Sequence, residues 1–212
     1  MSNPILYGPA YSTYTRSARL ALEEKGVGYD LIEVDFLQGP MPTEQIERQP
    51  FAKVPAFEHE GFKLYEVSAI GRYVDEAFEG PPLQPTDTSK RARMTQIISI
   101  LDSYTYPCTV GQLVIQRLVM PMLGQQPDEA AIAAALPEVS KCMNVLAGLR
   151  GDNVYLVGAE LTLADLHFVP IYDYFRNTHE SESILEQNPG LRVWWDSVAN
   201  RESVKNTQPS AG

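Results

Sequence analysis

The chain has 212 residues, 44% hydrophobic and 21% charged, which is typical of a soluble globular protein large enough for one or two domains. Its formal net charge of −10 argues against nucleic acid or an anionic membrane surface as a partner. Two cysteines are too few for a disulfide framework, so Cys108 and Cys142 are expected to be reduced, buried thiols.

Membrane and export signals are not evident in the sequence. No apolar run is expected to reach the length of a membrane span, and the first residues lack the basic start and apolar region of a signal peptide. We therefore expect no membrane partner and a cytoplasmic location.

The first residues predict a strand, a helix and a second strand. Ile5-Leu6-Tyr7 is a short apolar strand candidate. A helix follows that begins at Ser12 and ends near Gly26. Near-alternating apolar residues over 29–36 predict the second strand, and the proline-containing loop 37–50 is expected to hold one short helical turn.

The stretch 51–70 predicts two more strands and a helix. The strands lie on either side of a turn at 59–61, and the helix begins around Glu66. Pro55 sits at the start of the third strand, where a missing backbone donor is tolerated. Together with the preceding elements, this order predicts a small mixed sheet with helices packed on it.

Three prolines between 81 and 85 mark the best domain boundary. Everything beyond it has helical patterning, with runs starting near 86, over 110–122 (interrupted by Pro121) and over 128–149. The predicted organisation is an N-terminal α/β domain 1–80, a linker 81–88, an all-helical domain 89–205 and a frayed polar tail 206–212.

One helix start in the second half is specified by its own sequence. Thr162 and Asp165 have the spacing of a capping box, with Asp in the place where Glu or Gln is usual. We expect a buried structural helix from 162 to about 175.

Two residues suggest chemistry by themselves. If the Val54–Pro55 bond is cis, the main-chain N–H and C=O of Val54 face outward and can pair with an extended peptide. Ser12, at a helix start, is an ordinary N-cap or, in a second interpretation, a hydroxyl that donates to a substrate thiolate. The scattered histidines give no metal-ligand spacing, so no metal is expected.

The chain resembles the cytosolic glutathione S-transferases, most closely the phi-like, serine-type class, from Ile5 to about Val204. The matching segments are Pro-Ala-Tyr-Ser-Thr-Tyr-Thr-Arg (9–16), Gln-Pro-Phe-Ala-Lys-Val-Pro-Ala-Phe (49–57), Tyr-Glu-Val-Ser-Ala-Ile (65–70), Pro-Met-Leu-Gly (121–124) and Leu-Thr-Leu-Ala-Asp-Leu (161–166). The resemblance implies a thioredoxin-like N-terminal domain, an all-helical C-terminal domain, glutathione as co-substrate and a homodimer.

The resemblance also implies roles for individual residues. Ser12 would be the thiol-activating hydroxyl. The glutathione-binding positions would be Ser12, Met41, Lys53, Val54, Pro55, Glu66, Val67 and, from the neighbouring subunit, Asp102. The pocket for the hydrophobic second substrate would be lined by Tyr11, Ile115, Val119 and Tyr172. Phe51 would be either an aromatic key into the partner subunit or a core residue.

The chain departs from the family pattern at two places. Val67 replaces a serine that binds the γ-glutamyl carboxylate, and Pro40-Met41 replaces a basic pair that holds the glycyl carboxylate. Each lost hydrogen bond to a charged group costs roughly 1.5–3 kcal/mol, or about tenfold to hundredfold in affinity.

The resulting functional hypothesis is a transferase that adds the glutathione thiolate to small hydrophobic electrophiles. The departures at Val67 and Met41 favour one alternative, a binding or scaffold protein with little catalysis. A second alternative is a glutathione peroxidase acting on organic hydroperoxides.

Overall fold

The computed structural model describes residues 2–34, 36–37 and 39–209. The chain divides into two compact units, one made of Met1–Gln84 with Asn200–Gly212 and the other of Pro85–Ala199. The division between Gln84 and Pro85 falls inside the linker expected at 81–88. The return of the chain to the first unit from Asn200 onward differs from the expected helical domain 89–205.

The first unit is built on a four-stranded mixed sheet. Its strands are β1 (Ile5–Tyr7), β2 (Asp30–Ile32), β3 (Ala56–His59) and β4 (Phe62–Tyr65). They are arranged in the order β2-β1-β3-β4, with β2 parallel and β3 antiparallel to β1, and β4 antiparallel to β3. This arrangement confirms the predicted thioredoxin-like sheet. The second strand is shorter than the predicted 29–36, of which residue 35 lies outside the described residues.

Three helices complete the α/β part of this unit: α1 (Thr13–Lys25), α2 (Thr43–Arg48) and α3 (Val67–Ala77). The ends of α1 are those expected from the sequence. Ser12 is the N-cap, and Gly26 closes the helix in the left-handed conformation with φ 69°. Helices α1 and α3 pack together through buried apolar faces.

A buried lysine ties the end of α1 to the chain that follows α3. The Lys25 ammonium donates to Asp75 Oδ1 at 3.2 Å and to the carbonyl oxygens of Gly80 and Pro81 at 3.4 and 3.2 Å. Its side chain is only 3% exposed. A buried charge needs a counter-charge and hydrogen bonds; Asp75 in α3 supplies the counter-charge, and the segment after α3 supplies the carbonyl acceptors.

The second unit is helical, as predicted. A continuous helical run comprises α4 (Thr88–Ile100), a π-helical segment π1 (Leu101–Thr105), α5 (Tyr106–Cys108), a second π-helical segment π2 (Thr109–Val119) and α6 (Met120–Met122). It is followed by α7 (Glu129–Arg150), α8 (Leu163–Phe175), α9 (Ser181–Glu186) and α10 (Pro189–Val198). The predicted interruption at Pro121 is wrong, because this proline lies within the last turn of the run.

The expected capping box is present at the start of α8. The backbone N–H and the hydroxyl of Thr162 both donate to Asp165 Oδ2 at 2.9 Å. The other carboxylate oxygen of Asp165 accepts from the indole of Trp194 at 2.9 Å and from the N–H of Leu156 at 2.8 Å. This fully buried carboxylate therefore joins a helix start to α10.

Helix α7 contradicts the expectation that no apolar run reaches membrane-spanning length. Glu129–Arg150 is long and apolar enough to cross a membrane by length and composition. Its buried residues include Ile132, Val139 and Leu146, and the helix packs against π1, π2 and α9. These contacts are those of a bundle helix.

The C-terminal tail 206–212 was expected to fray, and this expectation is wrong for the first residues of its described part. Helix α11 (Glu202–Asn206) packs on α1, and Thr207 is fully buried. The buried Arg16 donates to the carbonyl oxygen of Val204 at 3.3 Å, and Arg19 donates to that of Thr207 at 3.3 Å. The guanidinium groups need acceptors, and the chain end provides them. Residues 210–212 lie outside the described part.

A carboxylate on α1 also holds this chain end. Glu24 accepts two hydrogen bonds from Arg201, at 2.7 and 2.6 Å, and one from Ser203. Burial alone would raise the pKa of Glu24, but the hydrogen bonds from Arg201 and Ser203 outweigh it and lower the pKa below its ordinary value of 4.5.

The hydrogen bonds of Glu24 with Arg201 and Ser203, called the Glu24 clamp below, predict a contribution to stability that is lost in acid. A carboxyl with a lowered folded-state pKa stabilises the fold above its unfolded pKa, and the contribution is lost as pH falls through the folded pKa. Glu24→Gln is expected to lower the free energy of unfolding at pH 7 by about 1–3 kcal/mol and to weaken its decline below pH 4.5. Urea unfolding between pH 7 and 3, with the exposed Glu47→Gln as control, measures both effects. An unchanged pH dependence in Glu24→Gln would contradict the Glu24 clamp.

Candidate functional site

The end of β1, the start of α1 and the segment before β3 meet at Gly8. A Cβ atom placed on Gly8 would lie 2.4 Å from Thr15 Oγ1 and 3.3 Å from Val54 Cβ. No side chain fits at that distance, so only glycine lets the first turn of α1 and Val54 approach each other this closely. Gly8 and Thr15 were not predicted as site residues, although a glycine directly after a strand is a sequence signal for such an approach.

Ser12 is a half-buried N-cap at this place. Its hydroxyl oxygen accepts a hydrogen bond from the N–H of Thr15 at 3.4 Å, a long contact for a cap. Its own backbone N–H donates to the carbonyl of Pro9 at 3.0 Å. Among the residues that the structure describes, the oxygen is occupied only as an acceptor, so the hydroxyl proton can be donated to a group bound at the helix start. The cap and thiol-donor interpretations of Ser12 are therefore compatible.

The Val54–Pro55 peptide bond is cis, as the sequence argument required. Within the described residues, neither the N–H nor the C=O of Val54 is hydrogen-bonded to another protein group. Val54 packs its side chain against the cluster of Tyr7, Val34 and Ala56. The side chain is thus held while the main-chain donor and acceptor are available, which is the arrangement that β-strand addition of a peptide uses.

Two glutamines on the α2 side hold the loop that leads to Val54. The side-chain oxygen of Gln49 accepts from the N–H groups of Phe51 and Lys53 at 2.7 and 3.2 Å. The amide of Gln45 donates to the carbonyl of Lys53 at 2.9 Å. Both glutamines are buried, and they leave the Lys53 side chain exposed. Sequence reasoning missed them, although Gln49 lies within the segment 49–57 that carried the resemblance.

Glu66 occupies the N-cap position of α3 in a strained conformation. Its φ of 69° and ψ of 111° lie in a region that side-chain-bearing residues rarely adopt. Its exposed carboxylate makes no capping bond, while its carbonyl accepts from the N–H groups of Ala69 and Ile70 at 2.9 Å. Strain of this kind concentrates at binding sites, because a ligand needs the unusual backbone direction.

The two positions that depart from the family pattern are apolar contacts. Met41 packs against the cluster that contains Tyr7, and the side chain of Val67 is buried at the start of α3. Neither side chain can bind a carboxylate, so at Val67 only the main-chain N–H is left for such a contact.

The two interpretations of Phe51 are separated by its exposure. The side chain is 67% exposed, and its ring meets that of Tyr65 edge-on at 6.2 Å between centroids. A core residue would be covered, so the core interpretation is wrong for the isolated chain.

The predicted second-substrate residues have different environments. Tyr11, in the first unit, is 36% exposed and lies 6.1 Å from the ring of Phe36. In the second unit, Ile115 and Val119 are half-buried in π2, where the N–H of residue 120 bonds to the carbonyl of Ile115 five residues back. Their lining role stays a prediction.

Tyr172 does not fit the predicted role in that pocket. It is 2% exposed and stacks on Trp195 at 5.2 Å, with Trp194 and Phe168 at 5.4 and 5.6 Å. Burial among these rings raises its pKa to about 12. We correct its assignment to the aromatic core of the second unit.

Asp102 bonds within its own unit. Its Oδ1 lies 2.7 Å from Nε2 of the buried His167, and its side chain is 36% exposed. The predicted contact with a neighbouring subunit's glutathione therefore stays a prediction.

Comparison with known proteins identifies this arrangement. Residues 6–82 match the family description "Glutathione S-transferase, N-terminal domain", and residues 110–202 match "Glutathione S-transferase, C-terminal domain". A glutathione S-transferase from Hyoscyamus muticus is 31% identical over 92% of this chain and 93% of its own length. The chain belongs to the glutathione S-transferase family.

Solved structures agree with this assignment. Glutathione transferase F2 from Populus trichocarpa superposes with a TM-score of 0.86 at 29% identity, over 96% of both chains. Glutathione S-transferase I from maize, in complex with an atrazine glutathione conjugate, gives 0.83 at 26% identity over 97% of this chain and 96% of that one. The relatives are plant phi-class transferases, so the fold and the class inferred from sequence motifs are confirmed.

The close approach at Gly8 predicts a defect in this transferase when the glycine is replaced. Gly8→Ala forces Thr15 or Val54 to move and is expected to cost about 1–3 kcal/mol of stability and tenfold or more in kcat/KM for glutathione. The matched control is Gly28→Ala, whose new methyl would meet nothing closer than 3.7 Å. Thermal unfolding and steady-state kinetics measure both. Full activity in Gly8→Ala would show that this approach does not position the site.

The strain at Glu66 predicts opposite effects on stability and binding. Glu66→Gly relieves the positive φ and is expected to raise the free energy of unfolding by about 1 kcal/mol, while raising KM for glutathione. Glu60→Gly is the control, because Glu60 also has a positive φ, 50°, but lies in the turn between β3 and β4. We expect Glu60→Gly to leave KM unchanged. Equal kinetics in the two variants would remove Glu66 from the site.

Proposed function

We propose that this transferase binds glutathione along Val54 and Glu66 and adds its thiolate, stabilised by Ser12, to a small hydrophobic electrophile. One observation carries the proposal. Gly8 brings the hydroxyl-capped start of α1 next to Val54, whose main-chain donor and acceptor bond to no other group in the described part of the chain. A peptide paired with Val54 would therefore carry its central side chain toward Ser12.

The first chemical step is ionisation of the thiol. A free cysteine thiol has a pKa of about 8.5, so it is mostly protonated at pH 7. Donation from the Ser12 hydroxyl and the positive end of the α1 dipole both favour the thiolate, and a shift of one to two units makes it the main form. The thiolate sulfur then attacks the electrophilic carbon, and the leaving group departs with the bonding electron pair.

The rest of the tripeptide is held by groups around this point. Val54 N–H and C=O pair with the cysteinyl unit, and the exposed carboxylate of Glu66 binds the γ-glutamyl ammonium. The N–H of Val67 at the start of α3 faces the γ-glutamyl carboxylate, and the Lys53 ammonium is the cation for the glycyl carboxylate. The burial of Gln45 and Gln49 under the Lys53 loop supports this arrangement.

Glutathione affinity is expected to be modest. The Met41 and Val67 side chains are apolar and packed, so two side-chain hydrogen bonds to carboxylates are missing. At roughly 1.5–3 kcal/mol each, their absence weakens binding by about tenfold to hundredfold per bond. The same two residues support the alternative of a scaffold with little catalysis, which weak binding without turnover would favour.

The transferase is proposed to act in the cytoplasm on apolar electrophiles. The maize structure that superposes on this chain holds a glutathione conjugate, which supports conjugation as the reaction type. Tyr11, half-exposed beside Ser12 in the sequence, is the proposed contact of the first unit with the electrophile. Turnover on an aryl halide and on an organic hydroperoxide, measured in one preparation with glutathione affinity by calorimetry, separates conjugation, peroxidase activity and mere binding.

The Ser12 role is tested by two substitutions that separate its functions. Ser12→Ala removes the hydroxyl and the cap, at about 1 kcal/mol of stability, whereas Ser12→Gly removes the hydroxyl with a loss of only a few tenths. Both are expected to lower kcat about 100-fold and to shift the pH profile of kcat/KM upward by one to two units, with glutathione affinity nearly unchanged. Ser12→Thr should recover activity. A wild-type pH profile in both variants would exclude Ser12 from thiol ionisation.

A homodimer is proposed from the exposure of Phe51. A phenylalanine with two thirds of its surface exposed is typical of an interface anchor. In a twofold-symmetric dimer, the Phe51 side chain of each subunit would make the same contact with the other subunit. Phe51→Ala is expected to raise the dimer Kd at least tenfold in a sedimentation dilution series. Phe62→Ala is the control, since Phe62 is 49% exposed but its ring packs at a tilt against that of Tyr73, with 5.2 Å between centroids. Equal dimer Kd values in the two variants would contradict the anchor.

A further inference from the structure

The second unit contains both cysteines of the chain, and they face each other. Cys108 ends α5 and Cys142 lies in α7, 34 residues apart in sequence. Their sulfur atoms are 3.9 Å apart, and both are free, buried thiols. Nothing in the glutathione site described above uses them. Because the sequence holds only these two cysteines, the pair has no competing thiol within the chain.

The two sulfur atoms are close enough to form a disulfide after a small movement, but they are not bonded. A disulfide bond joins its sulfurs at about 2.05 Å, so closure requires the two atoms to approach by roughly 1.9 Å. Rotation about χ1 of each cysteine moves its sulfur on this scale while the backbone stays in place.

Cys108 has contacts that favour the neutral thiol and contacts that favour the thiolate. As a thiol it donates to the carbonyl of Tyr104 at 3.2 Å, and the hydroxyl of Thr109 lies 3.7 Å away. A hydrogen bond shared with Cys142, opposed by burial and assisted by Thr109, lowers the pKa of Cys108 to about 7. The same shared proton raises the pKa of Cys142. The thiolate is the nucleophile in thiol oxidation, so Cys108 reacts first and Cys142 is the resolving thiol.

We propose that Cys108 and Cys142 form an oxidation site that a small peroxide converts to an intramolecular disulfide. The Cys108 thiolate attacks one peroxide oxygen, the O–O bond breaks, and sulfenic acid and an alcohol or water result. The Cys142 sulfur then attacks the Cys108 sulfur, the S–O bond breaks, and water leaves. Two thiols are thus oxidised by two electrons while one peroxide is reduced, and two glutathione thiols restore the pair, leaving one glutathione disulfide.

The bond would act on the segment that carries Ile115 and Val119. Cys108 lies between the π-helical segments π1 and π2, and both predicted lining residues belong to π2. Short π-helical segments are often found at functional sites. Fixing Cys108 to α7 therefore restrains one end of π2, and KM for the electrophile is expected to change on oxidation while KM for glutathione does not.

The test uses the full chain, reduced and then exposed to hydrogen peroxide. The oxidised protein is then denatured in the presence of a thiol-alkylating reagent. Its intact mass should be that of a monomer 2 Da lighter than the reduced chain, with no alkylated cysteine, and dithiothreitol should restore both thiols. The closed 34-residue loop should also raise Tm on the order of 5–10 °C.

Matched variants keep the test decisive. In Cys142→Ser, oxidation should stop at the sulfenic acid of Cys108, which dimedone traps. Cys108→Ser should react with peroxide far more slowly. Cys108→Ala and Cys142→Ala are used instead if serine destabilises the core. Two alkylatable thiols after peroxide, over-oxidation of Cys108 without a cross-link, or a disulfide joining two chains would each overturn the proposal. Unchanged glutathione kinetics in the reduced Cys142→Ser variant would show that the glutathione site is independent of the pair.

Discussion

A single close approach organises the glutathione-binding half of the molecule. At Gly8 the chain leaves the central strand between the first turn of α1 and Val54, with no room for a side chain. The helix start and the strand edge are therefore held at one place by sterics. Neither element makes a binding site alone, because a helix N-terminus offers only donors and an edge offers only main-chain pairing. Brought together, they provide an anion-stabilising end beside a peptide-binding edge.

Buried charged residues hold helix α1 in the position that the close approach at Gly8 requires. Lys25 fixes the far end of α1 to α3 and to the segment that follows it, while Arg16 and Glu24 hold the returning chain end against α1. All of these contacts involve a charged group that is largely removed from water, so each is costly to leave unpaired. Helix α1 is thus anchored at its C-terminal end and along one side. Its N-terminus, with Ser12, has a defined position for chemistry.

The second unit uses a different principle. Its core is assembled from aromatic rings around Trp194, with Asp165 bonding both to that indole and to its own helix start. Tyr172 is part of this packing, which explains why a tyrosine suited to line a pocket is used in the core. In the same unit, helical hydrogen bonding shifts to the π pattern before and after α5, and Cys108 at the end of α5 meets Cys142 of α7.

The sequence alone determined the features that depend only on residues close together in the chain. The caps at Ser12 and Gly26, the capping box of Thr162 and Asp165, and the motif around Pro55 are all decided within a few residues, so local hydrogen bonding and steric preference suffice to predict them. The two-part fold and the transferase family followed from the order of such motifs.

Only the tertiary structure decided the contacts and the exposure that depend on packing. The support of Lys53 by Gln45, the burial of Thr207 under Arg16, the exposure of Phe51 and the meeting of Cys108 with Cys142 depend on how packed elements lie against each other. A side chain's type states which partners it can accept, but packing selects the partner. No spacing along the chain encodes that choice, because it is made by the shape of the whole core.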